Sequence, residues 1–217
     1  YRCSEIAYRI EFWDTYTSVR YKFHRIGDPN FYEEVLVIDK AYIKTMQDVE
    51  YLIKGKIDKF YELTKETNAR DGNSSHAKSY YLDLISRSAE NLEKNEDSPL
   101  ITLYIAEHEG DEIASIMTLF SKDEAIYLYG ASSNKKRNLM PNHLLQWTAI
   151  KDAKSYGSKS YDFYGMSPEG KNENHPMHGL YMFKSNFGGN NIHRIGSWDF
   201  PTSFFYGPYK FLEKVRA

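Results

Sequence analysis

Three short apolar runs joined by polar turns constrain the fold of this chain more than any other feature. The runs are Leu100–Glu107, Ile113–Phe120 and Ala125–Tyr129, and the turns between them are residues 109–112 and 121–123. Runs of this length with tight polar connections are typical of neighbouring antiparallel strands. The sequence therefore predicts a three-stranded antiparallel meander near the middle of the chain.

Helical patterns flank these strands on both sides. Apolar residues at helical spacing predict one helix over Val49–Arg70 and a second over His76–Leu92. After the strands, a helix over Pro141–Tyr156 and a strand over Ser160–Tyr164 are predicted. Completed by one more helix and one more strand, this order resembles the GNAT acyltransferase fold. We expect an α/β (α+β) chain with a mixed, mostly antiparallel sheet flanked by helices.

The first forty residues alternate aromatic and polar side chains. The alternation predicts strands that include Tyr8–Phe12 and Val35–Ile38, with a turn at residues 27–30. The chain as a whole has 217 residues, of which 41% are apolar, enough to bury one sizeable core. No stretch approaches the roughly eighteen consecutive apolar residues of a membrane-spanning helix, so we expect a soluble protein.

Cysteine usage excludes two classes of small-domain architecture. Cys3 is the sole cysteine, so the chain has neither an internal disulfide framework nor a cysteine-based zinc site. This usage is compatible with the reducing cytoplasm. His175 and His178 have a spacing that some metal sites use, but no cysteine or third ligand lies nearby in the sequence. We therefore predict no metal.

Charge is distributed unevenly, although the formal net charge is only −2. Residues 131–195 contain nine Lys/Arg against four Asp/Glu, a net charge of +5, which leaves −7 on the remainder. A basic region inside an acidic protein is what a phosphate-bearing ligand requires, because phosphate contacts are largely electrostatic. A solvated face without any ligand explains the same charges equally well.

Four motifs follow one another across the second half of the chain. They are Leu128–Asn134 with residues 137–142 and 145–147, then Tyr161–Phe163 with Gly165, then Gly179–Gly188, and finally Gly196–Asp199. In order and approximate spacing, these motifs resemble the Fem family of peptidoglycan bridge-forming aminoacyl (peptidyl) transferases. Family members usually carry two GNAT-like domains. We therefore expect residues 46–217 to be one GNAT-like domain and residues 1–45 to be a remnant of a first domain or an N-terminal extension.

The resemblance implies a reaction and its substrates. An amine of a peptidoglycan stem peptide attacks the ester that links an amino acid to the terminal ribose of its tRNA, and the precursor is nucleotide-linked or lipid-linked. Residues 132–142 contain no glycine to wrap the pyrophosphate of coenzyme A, which independently favours another acyl donor. We expect no cofactor, with aminoacyl-tRNA as co-substrate, and no DNA partner. The expected location is the cytoplasm, either free or peripheral to the inner face of the membrane.

The resemblance also suggests catalytic residues. The family's matching Phe-Lys pair is implicated in the site, which nominates Phe183 and Lys184. A lysine ammonium partly desolvated by neighbouring aromatic rings would stabilise the oxyanion that forms as the ester is attacked. The alternative is a surface lysine on an amphipathic helix. Asp162 either receives the proton of the attacking amine or anchors the following loop.

Five further residues are predicted to contact substrate. Tyr129 ends the central strand where a GNAT sheet opens into its cleft, although core packing explains it nearly as well. Among the loop cations, Arg137 is the one predicted to meet phosphate. Asn142, together with Gln146, either contacts substrate or caps the helix that begins at Pro141. The remaining two are Ser133, in the same loop, and Tyr164, which stands where the family pattern has glycine.

Two other functions remain open from the sequence. One is an N-acyltransferase that uses a different acyl donor, such as an acyl-coenzyme A. The other is a non-catalytic relative that binds tRNA or a partner.

Overall fold

The computed structural model describes residues 8–14, 18–25, 34–53, 55–167, 170–196 and 198–216. Cys3 and the turn predicted at residues 27–30 lie outside these residues. The strands are β1 (Tyr8–Asp14), β2 (Ser18–Arg25), β3 (Glu34–Ile43), β4 (Leu100–His108), β5 (Asp111–Phe120), β6 (Glu124–Ser132) and β7 (Ser160–Asp162). The helices are α1 (Met46–Ile53), α2 (Lys56–Asp71), α3 (Lys78–Lys94), α4 (Pro141–Tyr156), α5 (His178–Ser185) and α6 (Tyr206–Arg216), with a 3₁₀ turn at Arg137–Leu139.

The described strands form one sheet in which the spatial order is the chain order, β1 to β7. Every neighbouring pair is antiparallel except β6 and β7, which are parallel. The α4 crossover makes this parallel pairing possible, because parallel strands need a long connection. The predicted meander and the mixed, mostly antiparallel sheet with flanking helices are confirmed.

Two apolar clusters cover opposite faces of the sheet. On one face, α4 packs Leu145, Ala149 and Ala153 against β3 to β6. On the other face, α1 to α3 pack against alternate residues of the same strands, among them Phe60 of α2 and Ile85 of α3. Strands buried on both faces explain the near-continuous apolar runs in the sequence.

A β-bulge in β6 turns Tyr127 and Tyr129 towards different faces of the sheet. The register between β5 and β6 shifts at Met117 and Thr118, so that Tyr127 pairs with Thr118 whereas Tyr129 pairs with Met117. Tyr127 packs on the α4 face and Tyr129 on the face of α2 and α3. In a regular strand, residues two apart share a face, so the bulge decides where Tyr129 lies.

The pairing of β6 with β7 covers only the first part of β6. β7 pairs with Glu124, Ala125 and Ile126, whereas β6 continues to Ser132. Within the described ranges, no strand pairs with that side of β6 beyond Ile126. The second half of β6 therefore offers backbone groups to a ligand on its open edge.

Three sequence predictions need correction. The helix predicted over Val49–Arg70 is two helices, α1 and α2, separated at Gly55, because glycine weakens a helix and here precedes the first residue of α2. The strand predicted to Tyr164 ends at Asp162. In the part of the chain that is described, no strand follows α5, and residues 206–216 form α6 instead.

The chain has two compact units, and the domain boundary predicted from the sequence stays a prediction. The units are residues 1–164 and residues 165–217, whereas the predicted division lay between residues 45 and 46. β3 precedes that point and pairs with β4 from Val37 to Ile43. The origin of residues 1–45 as a remnant or an extension stays a prediction. None of the described helices has the length and apolarity needed to cross a membrane.

Candidate functional site

The loop after β6 is held by the last two turns of α2. The Glu66 carboxylate accepts hydrogen bonds from Ser133 Oγ at 3.0 Å and from the Asn134 backbone N–H at 2.6 Å. Ser133 is only 4% exposed, and its Oγ also accepts the Lys135 N–H at 3.1 Å. These bonds give Ser133 an anchoring role in the loop. Its contact with substrate stays a prediction.

A second pair of α2 residues fixes the end of β6. Thr67 exchanges two hydrogen bonds with the backbone of Ser132, at 3.1 and 2.9 Å. Arg70 Nη1 donates to the Ser132 carbonyl at 2.9 Å and to Asn134 Oδ1 at 3.3 Å. The cation of Arg70 is therefore used to position the loop.

The three cations of this loop have different surroundings. Lys135 pairs with Asp111 at 3.3 Å, and Lys136 pairs with Glu109 at 2.9 Å and with Asp111 at 3.2 Å. The hydrogen bond and charge of Lys136 lower the pKa of the Glu109 and Asp111 carboxyls. Arg137 is exposed and pairs with no carboxylate among the described residues. Arg137 is therefore the loop cation best placed to meet a phosphate.

The absence of glycine does not keep this loop out of left-handed backbone conformations. Lys136 has φ of 50° and Met140 has φ of 49°, values that glycine adopts more easily. The lack of glycine therefore does not by itself prevent this loop from adopting a tightly turned backbone, and the choice of acyl donor stays a prediction. The loop geometry alone therefore does not decide between coenzyme A and another acyl donor.

α4 begins at Pro141, as predicted, and its first turn has no side-chain cap. Asn142 does not cap the helix, because its Oδ1 is buried without a hydrogen-bond partner among the described residues. A buried acceptor of this kind calls for a donor from water or from a ligand. One turn later, Gln146 accepts a hydrogen bond from the Tyr161 hydroxyl at 2.7 Å, which ties α4 to β7.

Tyr127 explains why position 130 is glycine. A Cβ added at Gly130 would lie 1.7 Å from the Tyr127 hydroxyl, so any side chain there would displace the tyrosine ring. Burial raises the pKa of Tyr127 to about 12, with the Gln146 amide partly opposing the rise. The hydroxyl of Tyr127 therefore stays protonated at neutral pH.

Tyr129 lies in a cluster of four rings, which we call the aromatic cluster: His76, Tyr80, Tyr81 and Tyr129. The Tyr129 and Tyr80 hydroxyls are 3.1 Å apart, and the Tyr129 ring meets the buried Tyr81 ring edge to face at 5.1 Å. Burial, and then the neighbouring Tyr80 hydroxyl, raise the pKa of Tyr129 above its ordinary value. Tyr129 therefore presents a protonated hydroxyl within the aromatic cluster, next to that of Tyr80.

Asp162 closes the turn that ends β7. Its Oδ1 accepts the backbone N–H of Tyr164 at 2.7 Å. Tyr164 has φ of 64° and is 66% exposed, so a bulky side chain occupies a left-handed position that favours glycine. This geometry supports the anchoring alternative for Asp162, and it gives a physical reason for glycine in the family pattern.

Replacing Tyr164 with glycine is expected to raise the free energy of unfolding by about 0.5–1 kcal/mol. Relief of the left-handed strain exceeds the extra entropy of glycine in the unfolded chain. Urea denaturation should show the same direction for Tyr164→Asn and the opposite direction for Tyr164→Val, since β-branched residues tolerate this region worst. A less stable glycine variant would show that the Tyr164 ring makes stabilising contacts that outweigh the strain.

Lys184 lies in α5, in the second compact unit, and is only 8% exposed. Its Nζ donates a hydrogen bond to the Gly165 carbonyl at 2.7 Å, nineteen residues earlier in the chain. The alternative of a surface lysine is therefore wrong. An ammonium in a buried environment exerts a stronger field than one in water, because the local dielectric constant is lower.

Phe183 is half-buried and packs edge to face on Phe187, with ring centroids 5.6 Å apart.

The loop before α5 packs closely on that helix. A Cβ at Gly170 would lie 2.6 Å from the Tyr181 Cβ, so Gly170 allows α5 to approach the loop. His178 Nδ1 lies 2.8 Å from the Gly170 carbonyl. His175 Nδ1 accepts the Met177 N–H at 3.0 Å. Both imidazoles are thus used within this loop.

The structure groups the predicted residues only in part. It brings Tyr129, Ser133 and Arg137 to one end of β6, and it places Lys184 and Phe183 on α5 in the other unit. Sequence reasoning missed Glu66, Arg70 and the His76–Tyr80 ring pair. For Glu66 and Arg70 the signal was a spacing of four residues within α2, which places two side chains on one face. His76 precedes α3, so helical spacing gave no such signal for the ring pair.

These features define an α/β protein in which one edge of β6 is partly unpaired among the described strands, an arginine is exposed and a lysine is buried. The profile of the FemAB family matches residues 87–214, which is more than half of the chain. The chain therefore belongs to the FemAB family.

Relatives of known function agree with this membership. The chain is 32% identical to the lipid II:glycine glycyltransferase of Staphylococcus aureus strain USA300 over 136 residues. The identity to the lipid II:glycine glycyltransferase of strain NCTC 8325 is also 32% over 136 residues. The match covers 61% of this chain but only 31% of the relative, so this chain corresponds to about a third of the relative's length.

Two solved structures show a weak overall similarity to this chain. The crystal structure of FemX has a TM-score of 0.34 at 20% identity, over 71% of this chain and 38% of FemX. An aminoglycoside acetyltransferase from an uncultured soil metagenomic sample has a TM-score of 0.44 at 15% identity, over 76% of this chain and 99% of that protein. Scores of this size support no conclusion about activity.

Proposed function

We propose that this chain is the acyl-transfer part of an aminoacyltransferase that extends the stem peptide of a peptidoglycan precursor. The observation that carries the proposal is FemAB membership over residues 87–214, combined with similarity to enzymes named lipid II:glycine glycyltransferases. The donor is aminoacyl-tRNA, and the acceptor is an amine of the stem peptide. A lipid-linked acceptor is favoured by the names of the relatives.

The chemistry requires little beyond alignment and charge stabilisation, because the ester of the donor is already activated. The amine must lie near the ester carbonyl, and the negative charge that develops on the carbonyl oxygen must be stabilised. Lys184 supplies that positive charge in this proposal, and the Gly165 carbonyl holds its amine in place. The protonated hydroxyl of Tyr129 serves as a neutral donor to the substrate.

In this proposal, the loop after β6 binds the phosphate groups of the substrates. Arg137 is exposed, and α4, whose first turn has no side-chain cap, begins four residues after it. Arginine and helix N-termini are both favourable partners for phosphate. In this proposal Asn142 Oδ1, which is buried without a donor among the described residues, accepts a hydrogen bond from bound substrate. Asp162 anchors the turn that ends β7, and Phe183 precedes Lys184 on α5.

The test is a transfer assay with three components: the protein, charged tRNA, and a precursor carrying an intact stem peptide. Mass spectrometry should detect a stem peptide extended by one or more amino acids, with lipid-linked and nucleotide-linked precursors compared side by side. Uncharged tRNA and acetyl-coenzyme A serve as donor controls. Product with acetyl-coenzyme A but none with charged tRNA would replace this proposal with an acyl-coenzyme A transferase. Binding of tRNA without any product would indicate a binding module.

A further inference from the structure

An exposed pair of stacked rings lies just before and within the first turn of α3. The His76 and Tyr80 rings are 4.0 Å apart and nearly parallel, with an interplanar angle of 25°. Tyr80 is 41% exposed, and His76 is exposed as well. The mechanism proposed above uses neither ring. The two parallel rings leave flat apolar surface in water, which a stacked planar ligand would cover.

The pair is held rigidly by its surroundings. Beneath it lies Tyr81, which is only 2% exposed and meets His76 at 6.2 Å and Tyr80 at 5.5 Å in edge contacts. Asn68 donates a hydrogen bond to Ser75 Oγ at 2.7 Å, which fixes the residue before His76. A platform that is already ordered loses little conformational entropy when it binds a flat ligand.

The pair lies at the same end of the sheet as the exposed arginine. Tyr129 contacts His76 and Tyr80 edge to face, each at 6.4 Å, and it precedes Ser132 by three strand residues, about 10 Å. Ser132 in turn is bonded to α2 and begins the loop that carries Arg137. Aromatic rings and an exposed cation on connected segments are a combination by which proteins bind unpaired nucleotides, through stacking and phosphate contact.

We propose that the His76–Tyr80 pair stacks on an unpaired base at the 3′ end of the donor tRNA, the end that carries the amino acid. Arg137 then meets a phosphate of the same strand. The base is held by its π face and not by its edge, so the contact is tolerant of sequence. The proposal rests on the proposed function, because it assigns the binding site of that donor.

The experiment measures binding without turnover. A short RNA with the 3′-terminal sequence of tRNA carries 2-aminopurine in place of its terminal adenine, and stacking quenches the fluorescence of that base. We expect quenching with the protein, and an affinity about five- to 150-fold weaker for His76→Ala and for Tyr80→Ala, as expected for the loss of one stacked base. Tyr80→Phe and His76→Phe retain the ring and should retain most of the binding. The control is Tyr51→Ala, an exposed tyrosine of α1 outside the cluster.

The outcomes separate this proposal from the proposed function. Unchanged affinity in both alanine variants, or an equal loss in Tyr51→Ala, would overturn the stacking assignment even if the protein transfers amino acids. A second result would also overturn it. If the stem-peptide precursor displaces the RNA, and if the alanine variants raise KM for the precursor but not for charged tRNA, the pair is part of the acceptor site. Quenching by a protein that forms no product would reject the proposed function and keep the stacking site.

Discussion

Replacing Lys184 with methionine is expected to lower kcat for aminoacyl transfer by about 10²–10³-fold, the loss typical for removal of one donor to an oxyanion. Methionine keeps the length and apolar contacts of the side chain but removes the charge. Lys184 is 8% exposed, so water cannot readily replace its ammonium at the reacting carbonyl. Initial rates with charged tRNA and precursor, each saturating, measure the effect.

Two controls distinguish this loss from a folding defect. The Lys184 amine also holds the Gly165 carbonyl at 2.7 Å, so the variant could loosen the second compact unit. KM for charged tRNA should change little if the amine acts in the transition state, whereas a displaced loop would raise KM. The matched substitution is Lys154→Met, at an exposed lysine near the end of α4. A Lys184→Met enzyme within threefold of the original kcat would remove Lys184 from the mechanism.

The central sheet could be read from the sequence because its signals are local. The runs ending at Glu107, Phe120 and Tyr129 are mostly apolar and are bounded by polar turns, and β4, β5 and β6 follow them closely. The same holds for the α4 helix, where Pro141 marks the start and Gly157 the end. In both cases a residue and its near neighbours determine the conformation.

The orientation of Tyr129 could not be predicted in this way. Sequence periodicity places Tyr127 and Tyr129 on one face, whereas the bulge opposite Met117 and Thr118 places them on different faces. A bulge depends on how two strands align, and no single residue in β6 indicates its position. The aromatic cluster around Tyr129 was invisible for the same reason.

The site residues show the same limit. The resemblance nominated Ser133 and Lys184, but their surroundings depend on residues that are distant in sequence. Glu66, 67 residues earlier, holds Ser133, and Gly165 holds Lys184. Such long-range partners follow from the three-dimensional packing of helices and loops, which one-dimensional patterns do not encode. Charge and burial at each site residue therefore had to come from the structure.

Replacing Asp152 with alanine is expected to lower the free energy of unfolding by about 3–5 kcal/mol, the cost of removing one partner from a buried ion pair. Asp152 lies on α4 and accepts bonds from Lys40 Nζ at 3.2 Å, from the Tyr42 hydroxyl at 2.8 Å and from the Tyr104 hydroxyl at 3.1 Å. The Lys40 and Asp152 side chains are only 3% and 11% exposed. Urea denaturation measures the change, and the double variant Lys40→Met with Asp152→Leu should recover much of it, because no charge is then left in the core.

The matched control is Asp83→Ala, which breaks an exposed helical pair between Asp83 and Arg87 and should cost less than about 0.5 kcal/mol. An Asp152→Ala effect no larger than this would show that the buried network contributes nothing to stability.

A large effect would also show that β3 and α4 depend on each other for stability, across the boundary predicted between residues 45 and 46. Lys40 and Tyr42 both belong to β3, so residues before position 46 supply two of the three partners of Asp152. Deletion of residues 1–45 should then destabilise the packing of α4 on the sheet, because it removes β3, which is part of the core under α4.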